Sequence, residues 1–226
     1  MNSSTASTTN TKIAIGFTAV IVLLIIAFTI SALLQKQDAP DVAADPATIP
    51  PSAIADDSHF LDDIPGAEVT VVEFLDFECE ACGAFYPYVE DIREKYSGQI
   101  NYVIRYFPLP GHGNSQNAAV AVEAAARQGQ LEAMYNQMFI TQGEWGESQE
   151  SKADVFRGFA EQLGLDMAAY DADVADPTTL QRVTADLDAG RALGITSTPT
   201  FFVNNRYLQM SAYEDLEAAI VEELEQ

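Results

Sequence analysis

Two cysteines occur in the 226 residues, and they stand together as Cys79-Glu80-Ala81-Cys82. Thiols at this spacing can cycle between dithiol and disulfide. Only a thiolate attacks a disulfide, so such a pair needs a neighbour that favours the anion. A helix N-terminus is one such neighbour, because its first backbone N–H groups lack partners and carry the positive end of the dipole. Order along the chain then assigns the roles. Cys79 at the helix start is the nucleophile, and Cys82, a turn further in, resolves a mixed disulfide. Two other chemistries compete. Structural zinc takes four Cys or His ligands, and only His59 and His112 accompany the cysteines, so no metal site is expected. A purely structural disulfide would close so short a loop that it stabilises little; it stands as the alternative.

The elements around the pair support the redox reading. Residues 69–75, Val-Thr-Val-Val-Glu-Phe-Leu, form a β-branched run of strand length, and they read as a buried central strand. A helix is expected over about 83–96, with Phe85, Val89 and Ile92 on one face, and a second, parallel strand over 100–107. The cysteines thus fall where a strand turns into a helix. From Ser115 to about Arg191 the sequence is helical, divided by glycines and Pro177 into four or five helices. Residues 200–203 and 206–209, joined by Asn204-Asn205, read as a hairpin, and an amphipathic helix over about 212–224 closes the chain.

Residues 13–34 run without one ionisable side chain. As a helix they would extend roughly 33 Å, enough for a hydrocarbon core of ~30 Å, and the run exceeds a signal-peptide core. With no convincing cleavage site after it, an uncleaved signal anchor is expected. Lys12 and Lys36 flank it evenly, so charge does not orient it. The C-x-x-C pair does, because disulfide chemistry belongs in an oxidising compartment: the domain is expected outside, on the cell membrane. The organisation read from the chain is a tail at 1–12, a transmembrane anchor at 13–34, a Pro/Asp-rich linker at 35–58 and one domain at 59–226. The formal net charge is −23, and 29 of the 34 acidic residues lie beyond His59. Such a surface repels phosphate backbones and excludes nucleic acid as a partner.

Residues 73–82, Glu-Phe-Leu-Asp-Phe-Glu-Cys-Glu-Ala-Cys, followed far downstream by residues 194–203, Gly-Ile-Thr-Ser-Thr-Pro-Thr-Phe-Phe-Val, resemble the DsbA-like thiol-disulfide oxidoreductases of the thioredoxin superfamily. The resemblance covers most of 60–226 and implies a thioredoxin-like α/β fold with a helical insertion at about 113–176. It implies that Cys79 and Cys82 are the active pair, that Thr198-Pro199 is a cis peptide facing them and meeting substrate, and that Glu73 is the buried acid that shuttles the proton of Cys82. It implies no organic cofactor, with exported polypeptides as substrates and, by family analogy, a membrane-embedded, quinone-linked redox partner. Glu80-Ala81 departs from the Pro-His pair best known in the family. With no imidazole there, and with Glu78 and Glu80 beside the thiol, a Cys79 pKa raised above that of the family's strong oxidases, within the roughly 3.5–7.5 range of such cysteines, and a weaker oxidant are expected. The rivals are a non-enzymatic binding module with a structural disulfide and an accessory domain of a transporter or other membrane complex. His112 is read as a loop-packing histidine with no obvious partner, and Trp145, Tyr135 and Phe139 as insertion core. Met210 and Tyr213 are candidates to border a peptide groove.

Overall fold

The computed structural model describes residues 53–226 apart from Asn205. The anchor expected at 13–34 and most of the linker expected at 35–58 lie outside the described residues. Among the described residues no helix is long and apolar enough to cross a membrane.

The run Val-Thr-Val-Val-Glu-Phe-Leu is β2 (Val69–Leu75), the middle of a five-stranded sheet of order β1-β3-β2-β4-β5. The others are β1 (His59–Asp62), β3 (Ile100–Tyr106), β4 (Thr200–Val203) and β5 (Arg206–Tyr207). β2 and β3 are parallel, in register from Val69 opposite Ile100 to Leu75 opposite Tyr106, and α1 (Glu80–Lys95) makes the crossover between them. Apolar residues cover both faces of these strands, which is why their sequences lack a polar-apolar alternation. On the other side of β2 runs β4, antiparallel, with Thr200 opposite Phe74. That register brings the residues just ahead of β4 to the carboxyl end of β2, where Cys79 follows.

The helices between β3 and β4 are α2 (Ser115–Ala126), α3 (Leu131–Ile140), α4 (Gln142–Trp145), α5 (Ala153–Gln162), α6 (Met167–Ala175) and α7 (Pro177–Ala192). They number six, against the four or five expected, because one is the single-turn α4. Asp166 and Asp176 accept backbone N–H groups at the starts of α6 and α7, and Pro177 opens α7, so the breaks follow from capping chemistry. The chain closes with α8 (Glu214–Leu224).

Two boundaries differ from expectation. Residues 59–62 form β1, antiparallel to the outer edge of β3 with His59 opposite Ile104. His-Phe-Leu-Asp carries no strand period; the open edge of β3 makes it a strand. Residues 53–58, expected as linker, pack on the body. Ala53 is fully buried, its carbonyl accepts Arg105 Nη1 at 2.8 Å, and the Asp57 carboxylate meets Arg182 at 3.0 Å. Arg105, itself buried, is paired with the buried Asp186, which also meets Arg182 at 2.7 Å.

Candidate active site

α1 begins at Glu80, earlier than the expected start near 83, so Cys79 is its N-cap residue and Cys82 lies in its first turn. The Cys79 N–H closes a turn onto the Asp76 carbonyl at 3.1 Å, and the Cys79 carbonyl receives the Gly83 N–H at 3.0 Å. Both thiols are free and nearly covered, Cys79 with 6% and Cys82 with 1% of its surface exposed. The nucleophile is the more open of the two, as attack on a partner requires.

The Thr198–Pro199 peptide is cis, and Cys79 Sγ donates to the Thr198 carbonyl at 3.4 Å. The buried Thr198 hydroxyl has no other hydrogen-bond partner among the described residues and is left to turn its proton to the sulfur. Together these neighbours pull the Cys79 thiol down from 9.0 to about 6. The hydrogen bond from Cys82 is the largest cause, burial opposes it, and Thr198 and the N–H groups of Cys82 and Ala81 add to it. A pKa of about 6 stands in the upper part of the roughly 3.5–7.5 range of such cysteines, the direction expected for a motif without an imidazole. The two acids have partners of their own: the Glu78 carboxylate is engaged by the Asn114 N–H at 2.5 Å, and Glu80 is bonded to Glu147. Cys82 moves the other way, well above the usual thiol range, through burial first and then its bond to Cys79 and the charge of Glu73.

Strand period places Glu73 on the same face of β2 as Val71 and Leu75, the face that α1 and the cysteines cover. It is 2% exposed, and Tyr102 on β3 donates its hydroxyl to Oε2 at 2.7 Å. Burial raises its carboxyl from 4.5 to about 7, against the Tyr102 bond. All five residues singled out in the sequence, Cys79, Cys82, Glu73, Thr198 and Pro199, thus meet at the carboxyl end of β2.

Several neighbours escaped sequence reasoning. Gln142, from α4, donates Nε2 to the Phe77 carbonyl at 2.8 Å and the Cys79 carbonyl at 2.9 Å, tying the insertion to the cysteine turn. Gly83 makes room for it, because a Cβ there would stand 2.0 Å from Gln142 Oε1. His112, expected to lack a partner, has one: its Nδ1 lies 2.7 Å from Asp76 Oδ2. The only signal available was Asp76 in the motif, whose carboxylate is fully buried. Trp145 and Phe156 meet edge to face at 4.8 Å, and Tyr135 and Phe139 pack on Phe77, as insertion core should. Tyr213 lies against Phe85 at 4.3 Å with 43% of its surface exposed.

The family model described as thioredoxin matches residues 64–222. Among solved structures, a thioredoxin-like oxidoreductase from Silicibacter pomeroyi DSS-3 superposes with a TM-score of 0.63 at 25% identity, covering 76% of this chain and 95% of that one. BdbD from Bacillus subtilis gives 0.66 at 20% identity, over 80% and 97%, and α-DsbA1 from Wolbachia pipientis gives 0.64 at 22%, over 76% and 91%. A curated relative, Na(+)/H(+) antiporter NhaA 3 of Salinispora tropica, is 40% identical over 62% of this chain. The chain spans only 21% of that protein's length. With the cysteine pair at the strand-helix turn, the Thr-Pro peptide opposite it and a helical insertion between, a fold shared with the DsbA-type structures, the chain belongs to the thioredoxin family.

Proposed function

We propose that the protein is a membrane-tethered thiol-disulfide oxidoreductase that exchanges disulfides with exported polypeptides outside the cytoplasm. The observation that carries it is the split of the two thiols: Cys79 is acidified to about 6 at the helix start, and buried Cys82 is pushed the other way. The Cys79 thiolate attacks one sulfur of a partner disulfide. That S–S bond breaks, a Cys79–partner disulfide forms, and the other partner sulfur leaves as a thiolate and takes up a proton. Cys82 passes its proton to the Glu73 carboxylate, which at about 7 accepts and returns protons near neutrality. Cys82 then attacks Cys79 Sγ and releases the second partner thiol. Two electrons leave the cysteine pair and reduce the partner disulfide. Run backwards, the same steps put a disulfide into a substrate, and a membrane-embedded redox partner then restores the pair.

The test is trapping. Cys82→Ser should accumulate a reducible covalent adduct with an unfolded, disulfide-bearing peptide, and Cys79→Ser should form none. If neither variant forms an adduct, the non-enzymatic binding reading takes its place. The tether rests on the uncharged run at 13–34. An impermeant maleimide added to intact cells should label reduced Cys79, and labelling only after lysis would reverse the orientation.

One observation favours a second reading, service beside a membrane transporter: the relatives at 40% and 36% identity are named Na(+)/H(+) antiporters, and the chain matches only 21–22% of their length. A partner held at fixed stoichiometry in mild detergent would support that role, whereas transient mixed disulfides alone would not.

A further inference from the structure

With Glu80 and Ala81 between the cysteines, the motif supplies no imidazole to its own nucleophile. The loop after β3 brings one. Asp76, at the end of β2, receives the Ser115 hydroxyl at 2.6 and 2.7 Å, the Glu78 N–H and the Leu109 N–H at 2.9 Å each, and His112 at 2.7 Å. Its backbone carbonyl takes the Cys79 N–H at 3.1 Å. One buried residue therefore fixes both the ring of His112 and the backbone of the nucleophile. Facing a carboxylate acceptor, His112 Nδ1 carries a hydrogen, and with 23% of its side chain exposed the ring keeps access to solvent protons.

We infer that His112, oriented by Asp76, is the imidazolium that stabilises the Cys79 thiolate in the reduced protein, so that a side chain outside the C-x-x-C motif tunes the nucleophile. This rests on the thiol-disulfide reading above and adds a cation from outside the motif to the hydrogen bonds that Cys79 receives from Cys82 and Thr198. The charges facing His112 are Asp76, Glu78 and Cys79 from the turn after β2, and Glu80 from α1, which is itself bonded to Glu147 from the loop after α4. All of them favour the cation. Burial is the largest single influence on the ring and works against protonation, yet the bond and charge of Asp76, then Cys79 and Glu78, carry its pKa above the ordinary histidine value. Cys79, at about 6, is ionised over a range in which such an imidazolium persists. Asp76 acts through His112 and is a positioning residue.

Linkage makes the inference testable without turnover. If the imidazolium favours the thiolate by some factor, the thiolate favours the imidazolium by the same factor. The chain has two histidines, so the ring-proton resonances of the full chain in detergent can be followed through pH in dithiol and disulfide forms. The proton affinity of His112 should fall about fivefold on oxidation. Superimposable His112 curves in the two redox states would overturn the inference. His112→Gln should raise the proton affinity of Cys79 by the same factor of about five, read from alkylation rate against pH, with His59→Gln as the control. An unchanged alkylation profile in His112→Gln would also overturn it. Neither readout needs a substrate, so failure to trap a partner peptide would remove the proposed function and leave this outcome separately decided.

Discussion

Cys79 Sγ donates to the Thr198 carbonyl across 3.4 Å although 119 residues separate the two in the chain. The contact exists because β4 pairs with β2 in a register that sets Thr200 opposite Phe74. Thr198 thus offers the nucleophile a backbone acceptor and a hydroxyl with no other partner among the described residues. Thr198→Val keeps the first and deletes the second. The Cys79 pKa should rise from about 6 by roughly one pH unit, the value of one lost hydrogen bond to a charged sulfur. Alkylation rate against pH measures it, and a midpoint that stays in place would mean the hydroxyl does not reach the sulfur.

Glu73 links the site to stability. Its folded pKa of about 7 exceeds the unfolded 4.5, so the native state holds a proton that the unfolded chain has released between those values. The stability that Glu73 contributes is therefore fully present below the unfolded pKa and is lost as pH rises through about 7. Glu73→Gln removes that loss. On the disulfide form, where the thiols do not titrate, the variant should match the parent near pH 4.5 and exceed it at pH 8 by roughly 1–3 kcal/mol. Denaturant titrations at the two pH values compare them; equal stability at pH 8 would mean that the carboxylate is solvated after all.

Gln142 and Gly83 form a second pair. Gln142→Ala leaves the Phe77 carbonyl without its donor and should cost about 1–2 kcal/mol. Gly83→Ala should cost a similar amount, because its Cβ would displace the same amide. The two changes remove one clamp, so the double variant should cost little more than either alone. Strictly additive losses in denaturant melts would argue that Gln142 does not hold the turn.

Asp186 is fully buried between Arg105 and Arg182 and accepts the Tyr106 N–H at 3.1 Å. Asp186→Ala leaves the Arg105 guanidinium buried without this carboxylate, which should cost about 3–5 kcal/mol. Since Arg105 also holds the Ala53 carbonyl, protease should then cut residues 53–58 earlier than the body. Unchanged protection there would separate the segment from the ion pair.

How far the site could be read in advance follows from where each signal lies. Cys79, Cys82, Glu73 and Thr198-Pro199 sit in two short motifs, and the strand-helix turn that presents them is written in local propensity and period. What stayed hidden depends on contacts between distant segments. His112 gains meaning only when the loop after β3 folds onto Asp76, Gln142 only when the insertion meets the cysteine turn, and β1 only beside the open edge of β3. Likewise the sequence puts Glu78 and Glu80 beside the thiol but does not show that Glu78 is bonded to Asn114 or that the helix begins at Glu80.

The proposed function requires Cys79 and Cys82 to form a redox couple, and the acidity of Cys79 makes it one of intermediate strength. The most direct measurement is equilibration of the full chain in glutathione buffers, with the state of the pair read by alkylation and gel shift. A nucleophile at about 6 lies between those of thioredoxin, about 7, and DsbA, about 3.5. The midpoint should accordingly fall between roughly −270 and −120 mV. A pair that never exchanges with glutathione, or a midpoint below about −300 mV, where structural disulfides lie, would contradict it.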